Sequence, residues 1–334
     1  MKIVLTADIH LKIWKDTETV DNVPKRLCEI VDAIETMCEY AVSNDIDSVG
    51  ILGDINDLKD IIHTRAYVYF IDRIIMPYSG LHFYMLHGNH DASSNATNRS
   101  SVDIFRGYHN VTSITRPTIV DNMLFVPHSN SILEEIEKNY EQHTKYLMSH
   151  FGLNEASLSS GISLRTNIGV KHLSKFARVF LGHYHKPQEV GNVIYIGSPI
   201  QLRRDEFSEE KRFIAFDSDS NTFESIPLKG AREYHNFTAS TKEELNQFVS
   251  SAKELVSDGH YVTIRSNFKT DDEIPYTDED IHIIDDYVDD TNRRGINTSM
   301  TLLDQMKKYM EINNIPAEQL DEYLKIGLGV INSD

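Results

Sequence analysis

The sequence predicts an α/β fold: a parallel sheet with helices on its faces, a small second module and a helical tail. Three observations predict it. Apolar runs of strand length alternate with helical patterns over residues 2–86. Strand-like runs dominate from there to about residue 217. A capped helix between two strands follows beyond residue 230.

Taken in order, "KIVLTAD" (2–8) reads as a short buried strand. Residues 24–42 place Leu27, Ile30, Val31, Ile34, Met37, Cys38 and Ala41 at helical spacing, with Pro24 suited to the first turn. "SVGIL" (48–52) is a second strand and "GDIND" its loop. Residues 64–76 repeat the helical pattern through Val68, Ile71, Ile74 and Ile75, and "LHFYML" (81–86) is a third strand. This β-α-β-α-β order implies parallel pairing. The strand-like runs "NMLFVPH", "KYLMSHF", "ARVFLGHYH", "NVIYIGS" and "RFIAFDS" follow, interrupted by a helical stretch at 131–143. No internal repeat or low-complexity tract is visible.

Residues 1–228 form the expected main domain. A β-α-β module at 229–268 follows, its helix at 241–256 opened by Thr241 and Glu244 as a capping box. Residues 269–298 are acidic and weakly apolar, the composition of a linker. Residues 299–334 read as a helical hairpin. Leu303, Met306 and Met310 mark one face; Leu320, Tyr323 and Leu324 mark the other. So short a hairpin buries little alone and is expected to dock, on its own body or on a partner.

The chain has 334 residues, 40% hydrophobic and 25% charged, as soluble proteins have. No apolar run approaches the roughly 20 residues that cross a bilayer. The opening "MKIVLTADIH" turns polar too early for a signal peptide, so a cytoplasmic location is expected. Cys28 and Cys38 share one helix, about 15 Å apart along its axis, too far for a disulfide. The net charge is −18, and ten of the acids lie within 271–290, where no Lys or Arg stands. Any nucleic-acid surface must therefore be local.

Five polar clusters sit at carboxyl ends of predicted strands: "ADIH", "GDIND", "GNHD", "SHF" and "GHYH". Ligand sites of α/β sheets gather at such ends. They supply Asp8, His10, Asp54, Asp57, Asn89, His90, Asp91, His150, His183 and His185. Imidazole, carboxylate and amide donors suit intermediate divalent metals. The lack of cysteine argues against structural zinc. So many donors suit two metals sharing a carboxylate, an arrangement that clamps a phosphoryl group.

In this order the motifs resemble those of the calcineurin-like metallophosphoesterases. Within them the chain is most similar to the SbcD-type, or meiotic-recombination-eleven, DNA repair nucleases, including compact phage members. "GHYHKPQ" and "IYIGSPIQLRRDEFSEEKRF" extend the likeness beyond the metal motifs. The resemblance implies a two-sheet sandwich flanked by helices, with a small α/β cap that binds DNA. It implies one metal held by Asp8, His10, Asp54 and His185, and another by Asp54, Asn89, His150 and His183. It implies His90 as the catalytic histidine and Asp91 as the residue orienting it. The implied cofactors are two Mn²⁺ ions, with Mg²⁺ as the substitute. The implied partners are DNA, a second copy of the chain, and an SMC-like coiled-coil ATPase of the SbcC or Rad-fifty type. The last would bind Leu303, Met306, Met310, Leu320 and Leu324.

Two departures stand out. Asp57 occupies a position where some members carry histidine, and Asn56 replaces the aromatic residue that commonly precedes it. Candidate DNA contacts are Arg203, Arg204 and Asp57, with Lys211, Arg212, Lys229, Arg232 and Arg265 as further basic residues. A solvated charged face explains the 203–212 run equally well. The competing activity is phosphomonoester hydrolysis on the same fold. Its protein-phosphatase form is disfavoured, because no Arg follows Asp57 of "GDIND" and Lys59 stands at the next position but one.

Overall fold

The computed structural model describes residues 1–14, 19–93, 99–163, 166–268, 281–285, 307–308 and 310. Strand β1 (Lys2–Thr6) leads to the hairpin β2 (Thr19–Val20) and β3 (Val23–Pro24), then helix α1 (Lys25–Ser43). β4 (Ser48–Leu52), α2 (Thr64–Phe70) and β5 (His82–Leu86) complete the expected alternation. β6 (Val111–Ile114), β7 (Thr118–Val120), β8 (Met123–Val126), α3 (Ile132–Asn139) and β9 (Tyr146–His150) follow. β10 (Arg178–Gly182), β11 (Gln188–Val190), β12 (Val193–Tyr195), β13 (Arg212–Asp217) and β14 (Thr222–Pro227) close the main body.

These strands make two six-stranded sheets, ordered β14-β13-β1-β4-β5-β6 and β11-β12-β10-β9-β8-β7. The centre of each is parallel: β1, β4, β5 and β6 in the first, β8, β9, β10 and β12 in the second. Antiparallel β13 and β14 extend one side of the first sheet, whose other edge is the parallel β6, and antiparallel β11 and β7 close both edges of the second. Ile3, Leu5, Leu52, Leu86, Phe125, Met148, Phe180 and Phe216 form one buried cluster drawn from both sheets, so the sheets pack face to face. The far face of the first sheet carries Val4, Val49, Ile51 and Phe83, covered by Leu27, Ile30, Ile34 and Met37 of α1 and Phe70 of α2. The far face of the second packs Leu147, Val179 and Leu181 against Ile132 and Ile136 of α3. Strands buried on both faces read as unbroken apolar runs, which is why "KIVLT" and "SVGIL" lack polar alternation.

Two helices differ from expectation. α2 ends at Phe70, and Ile71–Ile75 continue as a π-helical turn. α3 ends at Asn139 because Tyr140 is extended. Both cysteines are buried free thiols, and burial pushes the Cys38 thiol well above its ordinary range.

The described chain divides into two compact units. The first comprises Met1–His235 with Asp258–Tyr261. It runs past residue 228 because Arg232 ties back to Glu29 and the Tyr234 N–H donates to Gln201 Oε1 at 2.7 Å. The second holds most of the sheet β15 (Tyr234–Ala239), β16 (Tyr261–Ser266) and β17 (Ile281–Asp285), with α4 (Lys242–Ser257). The Glu244 N–H donates to Thr241 Oγ1 as expected, but Glu244 accepts from the N–H of Ser240.

β17 corrects the linker expected over 269–298. Ile281–Asp285 pair in parallel with Val262–Ser266, and Ile281 joins Val262 and Ile264 in that unit's core. Alternating isoleucines made this strand; the acids around it hid it. Leu303, Met306, Leu320 and Leu324 lie outside the described residues, as does most of the hairpin. Among the described residues no helix is long and apolar enough to cross a membrane.

Candidate metal centre

The ends of β1, β4, β5, β9 and β10 converge, and their side chains meet at one point. The backbone there is contorted. Asp8, His10, Asp54 and His183 all hold positive φ (56°, 46°, 51° and 94°). Few L-residues adopt this region without a compensating reason, and it clusters at functional sites. All four are ligand-type residues, and they follow the ends of β1, β4 and β10.

Two glycines make room. Gly53 has φ 88°, and a Cβ there would overlap the His150 ring. Gly88 has no positive φ. Its role is close approach: a Cβ at Gly88 would collide with the backbone N and Oδ1 of Asp54.

Asp54 sits at the centre, 3% exposed. Its Oδ1 accepts the His90 N–H at 2.8 Å. Its Oδ2 lies 3.3 Å from His150 Nε2 and 3.9 Å from His10 Nε2. On one side, His10 Nε2 and His185 Nε2 face each other at 3.1 Å, and both lie with Asp8 in one group of potential ligands. On the other side, Asn89 Oδ1 lies 3.0 Å from His150 Nε2 and 2.9 Å from His183 Nδ1. Asp8 accepts the His183 N–H with both oxygens at 3.0 Å.

The donor set fits divalent cations. The His150 Nδ1–H donates to the Leu52 carbonyl at 2.8 Å, and the His185 Nδ1–H to Glu206 Oε1 at 2.8 Å. Each ring therefore turns Nε2 toward the centre, a lone pair whenever that nitrogen is deprotonated. Nε2 faces Asn89 Oδ1 and Asp54 Oδ2 in His150, and His10 Nε2 in His185. These converging acceptors need a positive centre among them, which is a proton on His150 in the metal-free state and a cation when metal is bound. The charge states follow the same logic. Burial disfavours a charged His150, but Asp54 and Asp8 overcome it and push the imidazole up to about 9. Burial, reinforced by Asp54, pushes Asp8 up to about 6. Burial opposes ionisation of Asp54 as well, but His150 holds it well below the usual carboxylate range. Burial, with His150 beside it, takes His183 down to about 3.

His90 lines the adjoining cleft of about 190 Å³ together with Asn89, His183, His185 and Arg203. Its Nδ1–H donates to the Asp57 carbonyl at 2.5 Å. This corrects the expected Asp91–His90 pair. Asp91 is 3% exposed and accepts elsewhere: from the N–H groups of Asn56 (2.9 Å), Gly88 (2.8 Å) and Ile55 (3.3 Å), and from the Ser101 hydroxyl (2.7 Å). It clamps the 54–56 and 88–91 loops together, so its influence on His90 passes through the backbone.

Asp57, expected near DNA, is paired with Lys12 at 2.9 Å, its Oδ1 lying 3.5 Å from His10 Nδ1. Asn56 is buried, and its amide closes the loop by donating to the carbonyls of Leu58 and Ile61. Of the basic residues, Arg203, Arg204, Lys229 and Arg265 are exposed. Lys211 and Arg232 are buried on Glu206 and Glu29, and Arg212 reaches the Tyr195 carbonyl. Those three are withdrawn from any phosphate-binding surface.

Glu206 is the residue that sequence reasoning missed. It sat within a charged run, yet it is 1% exposed. Burial works against its charge, but His185 and Lys211 take its carboxyl down to about 2.

The match to a known family agrees with this geometry. Residues 1–187 match the calcineurin-like phosphoesterase family, and the chain belongs to it. Among curated proteins, exonuclease subunit 1 of Enterobacteria phage T4 is 26% identical over 263 residues, covering 71% of this chain and 74% of that one. Among solved structures, an archaeal phosphodiesterase is 14% identical with TM-score 0.35, covering 68% of this chain and 100% of that one. A dimetal phosphatase from Danio rerio is 12% identical with TM-score 0.36, covering 64% and 91%. At those scores the structural likenesses add nothing to the assignment.

Proposed function

We propose that this chain is the nuclease subunit of an SbcCD-type recombination complex, a Mn²⁺-dependent exonuclease and endonuclease acting on phosphodiester bonds at DNA ends. The observation that carries it is Asp54, whose carboxylate lies between the His10–His185 and Asn89–His150–His183 groups. The similarity to a phage exonuclease subunit supports the substrate class. In this reading Asp8, His10, Asp54 and His185 hold one ion, and Asp54, Asn89, His150 and His183 the other.

The ions, when bound, supply an activated water and offset charge on the phosphoryl oxygens. His90 is bound through Nδ1–H to the Asp57 carbonyl, so Nε2 is the atom left to hold a proton near the leaving oxygen. Its backbone is tied to Asp54, which keeps that atom in register with the metal ligands. Arg203, exposed at the cleft, is the nearest candidate for a phosphate contact. The chain's acidity leaves little other basic surface, so DNA affinity is expected to be weak and salt-sensitive alone. A coiled-coil ATPase bound through the C-terminal hairpin would supply the remainder. Pairing with a second copy is supported by Ile61, Ile62 and Val68, which are 40–52% exposed on and before α2.

The test is incubation with Mn²⁺ and linear double-stranded DNA, with and without a candidate ATPase, beside a generic phosphomonoester. DNA degradation is expected. Efficient monoester hydrolysis with intact DNA would instead favour a phosphomonoesterase.

A further inference from the structure

We propose that Glu206 is a positioning residue for the metal centre, fixing the proton and orientation of His185, with Lys211 as its counter-charge. This rests on the two-metal reading above.

The geometry is a closed grip on one histidine. Glu206 Oε1 accepts the His185 Nδ1–H at 2.8 Å. Glu206 Oε2 accepts the Leu202 N–H at 2.8 Å and lies 2.8 Å from Lys211 Nζ. Lys211 in turn donates to the His185 backbone carbonyl at 2.9 Å and to Glu209 at 2.7 Å. The ring and the main chain of one residue are therefore held by one ion pair. Both partners are nearly inaccessible, Glu206 at 1% and Lys211 at 4%.

The residue types explain the arrangement. A carboxylate only accepts hydrogen bonds, so the ring nitrogen facing it must carry the proton. The opposite nitrogen, Nε2, is then a lone pair turned toward His10 and Asp8. A charged acceptor also makes the imidazole a better donor to metal than a backbone carbonyl does. His150 has only such a carbonyl, from Leu52. A lone buried carboxylate would be costly, and the Lys211 ammonium offsets it. The turn that carries Glu206 under His185 begins at Arg203, whose carbonyl accepts the Glu206 N–H at 3.1 Å. One short turn thus presents Arg203 to the cleft and Glu206 to the ligand.

The experiment titrates Mn²⁺ into the full-length chain by calorimetry, with electron paramagnetic resonance reporting magnetic coupling between the ions. Wild type is compared with Lys211→Met, Glu206→Gln and the double variant Glu206→Gln/Lys211→Met. Thermal melts in EDTA report folding independently of metal. The double variant removes the Glu206–Lys211 charge pair as a whole and keeps the test available if Glu206→Gln alone unfolds.

Wild type should bind two ions with a coupled signal. Each folded variant lacking Glu206 should lose roughly 10–100-fold in affinity for one ion, and lose the coupling at sub-saturating metal. Lys211→Met should melt lower and weaken the same ion by clearly less than the Glu206 variants do. If the folded Glu206 variants titrate like wild type, or if Lys211→Met weakens the same ion equally, the positioning role is overturned while the metal centre stands. If wild type itself binds no metal, the two-metal reading fails first.

Discussion

The His90 backbone N–H donates to Asp54 Oδ1 at 2.8 Å, while the other oxygen of that carboxylate faces His150 at 3.3 Å. One side chain therefore joins the proposed catalytic histidine to the ligand cluster. The two jobs are still carried by different atoms, and substitution should separate them.

His90→Asn keeps the backbone donor and removes the imidazole. Mn²⁺ stoichiometry by calorimetry should be unchanged, while DNA hydrolysis falls about 10²–10⁴-fold. Asn89→Ala should instead lower metal affinity, since it removes the oxygen lying against both His150 and His183. A His90 variant that lost metal would contradict this division.

Gly88→Ala adds only a methyl group, but it collides with Asp54. The loop must shift, at a cost of about 1–3 kcal/mol. A lower melting temperature and weaker metal binding are expected together. Gly107→Ala, where the added Cβ meets nothing within 4 Å, is the control and should change neither.

Asp91→Ala strands the N–H groups of Asn56 and Gly88 in a buried place. Each stranded donor costs about 1–3 kcal/mol. Urea unfolding should show that loss even in EDTA, because Asp91 acts on the loops and not on metal. A defect seen only with metal present would refute this account.

Metal affinity should rise with pH. His150 is held near 9, above its ordinary 6.5, so the metal-free fold keeps its proton at neutral pH. In that state the protonated ring contributes stability that is full below 6.5 and lost as pH rises through about 9. A cation must displace this proton, and part of one on Asp8, so binding releases protons. Titrations in buffers of different ionisation enthalpy between pH 6 and 9 should show that release shrinking as affinity climbs. Affinity independent of pH would count against His150 as a ligand.

Glu29→Ala removes the carboxylate shared by Arg26 and Arg232, at 2.7 and 2.6 Å. Both guanidinium groups are nearly buried, at 1% and 8%. Taking the carboxylate from two buried charges should cost about 3–5 kcal/mol, although Arg26 keeps its bonds to the Arg232 and Gln201 carbonyls. Calorimetric melting of the metal-free protein measures it, and a loss under about 1 kcal/mol would mean other partners carry these charges.

Much of the molecule was set by local pattern. Strands such as "SVGIL" and the helix from Lys25 to Ser43 follow from apolar spacing, because burial on one or both faces demands that spacing wherever the chain runs. The five polar clusters were equally visible, since strand ends in such sheets face a shared edge. β14, with exposed residues at most positions, gave no such pattern and gains its place only by pairing with β13. The partner of each site residue was likewise decided in three dimensions. Asp91 stands beside His90 in sequence, yet its oxygens go to Asn56, Gly88 and Ser101. Glu206 and Lys211 sat in what read as a solvated charged run, yet they are buried around His185. Sequence spacing dictates which residues can share a strand or helix face. Only the folded packing dictates which polar atoms lose water, and those atoms must take whatever partner the fold brings within reach.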